Sequence, residues 1–386
     1  MRDTGPGLVG FCLAARVCAA GRAVRTASNG RTAPARVSYY SGPPFAAAPV
    51  LPMPAVSLRL SRTALAGMAA WLALLFVRLA VAPGPAEEVA HLVILAPLVL
   101  VPLFLDASVP ASFGPAPRAL AAASWLAGPG ALAAAASLVV PVGALAGALA
   151  GVWLVAAASV ALWALAEALR QWRASSLDSA DAVLAVGWAM LPGGAVWLVL
   201  ARAGVETGYG ELVGLLTAAH FHYAGAFAAV WAGLLGRSIG RSRLHAALSA
   251  ALVAGFWGVA VGIAWGRRPV GGSGVETAGV VILAGAAIVL GVWGVVRAGR
   301  FENRVSGLMV AVSGGALVLA MGLALWFHVG ARLGLGAPDI GWMAARHGAL
   351  NAYGFGLWGA LGWRRLRPRR NRQPDRKTPD VRAATS

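Results

Sequence analysis

Five polar side chains with chemical potential stand inside apolar runs of this chain. His220, His222 and Tyr223 lie in LVGLLTAAHFHYAGAFAAVWAGLL, residues 212–235, and His347 lies with Asn351 in the last apolar run. Ionisable groups in hydrocarbon are costly, so their presence there calls for a functional reading. Three chemistries use such a set. Two histidines on facing transmembrane helices can ligate a haem iron. Neutral imidazoles with a carboxylate can bind copper, iron or zinc. A His/Tyr/Asn/Glu chain can relay protons or hold a polar substrate or quinone. The competing reading is structural: each histidine bonds a carbonyl or side chain of a neighbour and fastens helices together.

Helix geometry restricts the combinations. His220 and His222 are two residues apart, about 200° around a helix, so both cannot face one partner. His347 and Asn351 are four apart and share a face, continued by Gly354, Phe355 and Trp358. The expected constellation is one of His220 or His222, with Tyr223 nearby, facing His347 and Asn351. His222 and His347 are the candidate metal ligands. His328, His91 and Glu88 are expected to form an outer mouth. No H-E-x-x-H, P-loop, G-x-S-x-G or C-x-x-C-H occurs, so the familiar hydrolase, ATPase and c-type haem signatures are absent. No motif names a cofactor, and catalysis is left open.

The elements that must position these residues are helices in a membrane. The chain has 386 residues, 59% of them hydrophobic and 12% charged. A soluble domain carries about twice that charged fraction. Runs of about 20 apolar residues recur along it. Backbone groups in lipid must bond within their own segment, which makes the spans helical, and ten-residue alternation for a β-barrel is missing. The fold class is all-α, a polytopic bundle of about ten helices. The expected spans are residues 63–82, 88–105, 118–141, 142–166, 180–202, 211–235, 244–265, 277–297, 305–329 and 340–363. The third is interrupted by Gly128-Pro129-Gly130, which reads as a kink or a re-entrant break.

Residues 1–57 hold six arginines and a single acid, Asp3. They read as a tail outside the bundle, or as an over-extended start with Met53 as initiator. The membrane domain is expected over residues 58–365 and a basic tail over 366–386. Cys12 and Cys18 suit neither a disulfide framework nor a zinc site. The net charge is +18, almost wholly arginine. It sits in loops and tails, so the partner it implies is the bilayer and not nucleic acid. A small ligand is the other expected partner, and the oligomeric state is open.

Charge asymmetry also orients the chain. Arg118, Arg170, Arg173, Arg237, Arg241, Arg243, Arg297, Arg300 and Arg304 fall in alternate loops, with the C-terminal arginines on the same side. The opposite loops hold mainly Arg267, Arg268 and Arg332. This predicts both ends inside and an even number of spans. At 1.5 Å per residue His220 then lies about 14 Å below the outer face, near mid-membrane. His347 falls in the outer half and Asn351 near the middle.

Other features read as packing. Asp178 and Asp181 are expected to cap the fifth span. Pro192-Gly193-Gly194 predicts a kink or a thin backbone beside a neighbour. Pro97 and Pro102 are expected to kink the second span and open a backbone carbonyl toward a ligand. Gly143-x3-Gly147-x3-Gly151 and Gly258-x3-Gly262 predict close helix approaches.

Three stretches together resemble the YndJ-like family of bacterial membrane proteins: HLVILAPLVLVPLFLD (residues 91–106), LTAAHFHYAGAF (216–227) and ARHGALNAYGFGLWGALGW (345–363). The resemblance covers residues of about 60 to 365. It implies a polytopic inner-membrane protein and no particular reaction. The family pattern places His220, His222, Tyr223, Gly225, His347, Gly348, Asn351 and Gly354 at its motif positions.

Overall fold

The structure, a computed structural model, describes residues 53–79, 84–109, 117–266, 273–330 and 333–366. Cys12, Cys18, Arg267, Arg268, Arg332 and the tail beyond Leu366 lie outside the described residues, as does the first tail up to residue 52. Among the described residues the regular structure is helical, in ten spans. They are α1 (Met53–Leu79), α2 (Pro85–Ser108), α3 (Arg118–Val139), α4 (Ala144–Arg173), α5 (Ser179–Ala203), α6 (Gly210–Ile239), α7 (Arg243–Gly266), α8 (Ser273–Ala298), α9 (Arg304–Val329) and α10 (residues 340–366). Nine are long and apolar enough to cross a membrane. The tenth, α10, carries Arg346, His347 and Asn351 in its first half and is less apolar for that reason.

The bundle is organised around α2. Its sequence, VILAPLVLVPLFL, is apolar on every side, and a helix apolar all round belongs in an interior. Residues Val93 to Leu105 are buried almost without exception. It packs against α1, α3, α6 and α10. The other helices follow one another around it, each against its sequence neighbour from α3 through α10. The outward faces are apolar: Leu65, Phe76, Val155, Leu162, Leu308 and Leu319 are exposed. In water such a surface would aggregate; in lipid it is matched to its solvent.

α1 begins at Met53, ten residues before the expected span, because Met53, Val56, Leu60 and Ala64 form a buried stripe at helical spacing. α3 is continuous, with Pro129 inside it, and not re-entrant. It is held there by α4: a Cβ at Gly130 would lie 2.6 Å from Cβ of Ala156. Asp178 caps α5, accepting from the Asp181 amide at 2.9 Å. Asp181 itself does not cap. It pairs with Arg237 of α6 at 2.7 Å, and Arg237 also donates to the Ser108 carbonyl of α2.

Two polar clamps hold opposite ends of the bundle. At one, Arg364 of α10 pairs with the buried Asp106 of α2 at 2.9 Å and donates to Ser61 of α1. At the other, the buried Arg202 of α5 pairs with Glu211 of α6 at 2.6 Å and donates to the Ser137 and Val140 carbonyls at the end of α3. Van der Waals fit and such bonds are what join helices in lipid, where apolar burial gives no preference for protein over tails.

Candidate functional site

Three helices leave α geometry in mid-span. α2 forms a π-helical turn at Ala96–Leu100, α6 at Phe221–Phe227 and α10 at Leu350–Leu357. The turn of α10 touches those of both α2 and α6. Such turns widen the helix and mark functional sites disproportionately. In α2 the cause is legible. Pro97 has no N–H, so the Val93 carbonyl loses its α-type donor. The Ala96 amide bonds Val93 O instead, and the Leu92 carbonyl accepts the hydroxyl of Tyr223 at 2.7 Å. Pro102 likewise removes the α-type donor to Leu98 O. That carbonyl lies against Gly67 of α1, where a Cβ would be 1.9 Å away. The expected prolyl distortion of α2 is thus a π turn, and the carbonyls of Leu92 and Leu98 meet neighbouring helices at Tyr223 and Gly67.

The two histidines of α6 diverge as helix geometry requires. His222 is fully buried and faces α4 and α5. Its Nδ1 bonds the Ala218 carbonyl at 2.7 Å, and its Nε2 accepts from the indole of Trp153 at 3.3 Å. The ring rests on Gly194, where an added Cβ would stand 2.4 Å from Nδ1. Pro192-Gly193-Gly194 is therefore a thin backbone in a continuous helix. Gly193 receives the ring of Phe221 in the same way.

His220 faces the tenth helix. Its ring and that of His347 are 6.4 Å apart between centroids, 25° from parallel. A carbonyl oxygen only accepts, so the contacts assign the protons. His220 Nδ1 donates to Leu216 O at 2.6 Å, and His347 Nδ1 donates to Ala320 O of α9 at 2.9 Å. Each neutral ring therefore keeps an acceptor lone pair on Nε2, and neither Nε2 has a hydrogen-bond partner among the described residues. His220 is exposed and His347 half-buried, so the pair reaches the bundle surface.

Of the expected metal pair, His222 lies against α4 and α5, and His347 lies beside His220. Both nitrogens of His222 are committed, so it has no lone pair to give. His220 takes its place beside His347. Among the described residues no group of three or more His, Cys, Asp or Glu side chains is close enough to hold a metal. The donor set at this place is two imidazole nitrogens.

The remaining candidates take supporting positions. Asn351 is buried and donates Nδ2 to the His347 carbonyl at 2.8 Å, bracing the residue and not reaching His220's ring. Tyr223 is tied to Leu92 O, as above. Buried His91 lies against Trp71 of α1, with ring centroids 4.6 Å apart and planes tilted by 35°. The Trp71 indole donates to the His91 carbonyl and meets Tyr353 of α10 edge-on. Glu88 is half-buried in the first turn of α2. His328 finds its partners on α8, with Nε2 3.1 Å from the Thr277 hydroxyl and Nδ1 3.5 Å from Glu276. The expected mouth of His328, His91 and Glu88 is thus divided between two groups of contacts.

Sequence reasoning missed Trp153, Trp71 and the Asp106–Arg364 pair. Tryptophan is common here and reads as belt or packing. Asp106 and Arg364 end the first and follow the last of the quoted stretches, and that was the available signal.

Comparison with known proteins adds identity to this geometry. The family model described as YndJ-like protein matches residues 91–355, which takes in the π turns of α2 and α6, most of that of α10, and the His220–His347 pair. The Uncharacterized membrane protein YndJ of Bacillus subtilis (strain 168) is 26% identical over 215 residues, covering 55% of this chain. The match spans 37% of that protein's length. No solved structure matches. With the family model matched over more than half of its length, the chain is a membrane protein belonging to the YndJ-like family.

Proposed function

We propose that this protein binds a small ligand between His220 and His347, in the outer half of a bacterial inner membrane, with both chain ends on the inner side. The observation that carries the reading is the pair of neighbouring rings at the bundle surface, each locked by its Nδ1 bond with an Nε2 lone pair left over. Two acceptors side by side in a low-dielectric setting repel one another. They are satisfied by a hydrogen-bond donor or by a cation. Imidazole nitrogens suit copper, zinc, iron and nickel, so a late transition metal is the first candidate and a small polar donor the second. The orientation rests on the arginines, and the end of the bundle that carries Arg237, Arg241, Arg300, Arg304 and Arg364 is the inner one.

Metal analysis and an absorption spectrum of the protein purified from its membrane test the site. Stoichiometric metal without a Soret band assigns an ion, and a Soret band assigns haem. Without either, Zn²⁺ and Cu²⁺ titration compares the wild type with H220A and H347A. If binding is unchanged in both variants, these residues only join helices. A C-terminal reporter active on the outer side would overturn the orientation.

A further inference from the structure

Three buried nitrogens that lack a hydrogen-bond partner gather at the arginine-rich end of the bundle: Nε1 of Trp231, Nε1 of Trp363 and Nε of Arg297. They belong to one packed circuit. The ring of Trp231, from α6, lies over Gly294 of α8, where an added Cβ would be 2.4 Å from Cη2. Arg297 is three residues further along the same face of α8. Its guanidinium carbon is 5.7 Å from the centroid of Phe301. Phe301 is 5.8 Å from Trp363 of α10, and Trp363 is 6.0 Å from Trp231, both edge-on. The circuit closes on itself. Ser306, whose buried Oγ also lacks a partner, precedes Gly307, which packs on Ala298 and on Cβ of Phe301.

The chemistry of the three nitrogens is the same. An indole and a guanidinium donate and never accept. Buried donors are nearly always satisfied, and each exception needs its own explanation. One or two can be explained by a stray water. Three donor-only nitrogens in one circuit, one of them on a permanent cation, call for an acceptor carrying negative charge. Arg297 donates Nη2 to the Ser238 carbonyl at the end of α6, which leaves its charge uncompensated by that bond. Arg300 in the following loop, Arg304 at the start of α9, Arg241 in the loop after α6 and Arg243 at the start of α7 add positive potential at the same end. Glu302 is the acid among them, and it is exposed.

We infer that Trp231, Trp363 and Arg297 form a binding site for a phosphate-type oxyanion, distinct from the histidine pair. Two sources offer that chemistry at a membrane surface: the headgroup of an anionic phospholipid, or a free phosphate. Arginine with tryptophan at the interface is suited to either, since both donate and the indole tolerates a half-wet place.

The test uses the full chain purified in a neutral detergent, in a phosphate-free buffer. Thermal unfolding is followed with added inorganic phosphate in one arm and added phosphatidylglycerol in the other, with phosphatidylcholine as control. A saturable rise in Tm of at least ~2 °C with either anion supports the site, and the responding arm names the source. W363F keeps the ring and deletes one donor, and R297Q deletes the charge. Each is expected to lose half of the rise or more. No rise in either arm, or an equal rise in both variants, overturns the proposal. Should the variants aggregate, the wild type decides: with ¹⁵N-labelled tryptophan, two indole N–H signals move downfield as the anion is added. If none moves, the site does not exist.

Discussion

The indole N–H of Trp153 lies 3.3 Å from Nε2 of His222, and the Ala218 carbonyl lies 2.7 Å from Nδ1 of the same ring. One tautomer fits both contacts: Nδ1 protonated, Nε2 accepting. His222 is then a joint between α6 and α4. W153F should leave a buried acceptor without a donor and cost about 1 kcal/mol, the range found for single polar contacts between membrane helices. Denaturation in mixed micelles measures it. Ligand binding at His220 and His347 should be unaffected, and a loss of binding in W153F would return His222 to the site.

For His220 and His347 the expected pattern is the reverse. Removing an imidazole whose Nε2 has no protein partner costs little stability. It should weaken Zn²⁺ or Cu²⁺ binding by ten-fold or more, about 1.4 kcal/mol. The double variant should be no worse than the weaker single one, since two ligands of one ion act as a unit. Binding should also fall on acidification, because a proton competes for the same lone pair. Additive losses in the double variant, measured by titration calorimetry, would separate the two rings into independent sites.

Gly194 has a sharper requirement than most glycines here. Its α5 backbone supports the His222 ring, and an alanine Cβ would fall 2.4 Å from Nδ1. Helix propensity alone favours alanine by about 1 kcal/mol. The clash should outweigh it, for a net loss of roughly 1–2 kcal/mol. G194A with unchanged or higher thermal stability would show that the imidazole moves aside freely.

Asp106 and Arg364 offer a test by charge. Asp106 is buried, with its side chain 4% exposed, while Arg364 is 34% exposed. R364A removes one cationic partner from a buried carboxylate and should cost about 2–3 kcal/mol, somewhat less than for a wholly buried pair. D106N leaves the arginine free to turn to water or headgroups and should cost less. The double variant D106N/R364Q should recover part of the loss. Equal effects of the two single variants, in a thermal melt, would contradict this asymmetry.

Much of the architecture was readable without coordinates. The apolar run lengths determine spanning helices, because backbone in lipid has no other way to bond. The arginine distribution determines the expected orientation. Spacing alone determines that His220 and His222 diverge, since the rotation per residue is a property of the helix. Pro97 and Pro102 announce a distortion in α2, though not its kind. Which way each histidine turns was decided only by packing. Gly194 opens a slot on α5 that takes one ring, and Trp153 on α4 supplies the donor that holds it. The other ring is left to meet His347, whose own orientation comes from the Ala320 carbonyl of α9. Trp153 lies 69 residues from His222 in sequence, and the Ala320 carbonyl lies 27 from His347. A local period cannot carry that information, because it specifies faces of helices and not which faces will meet.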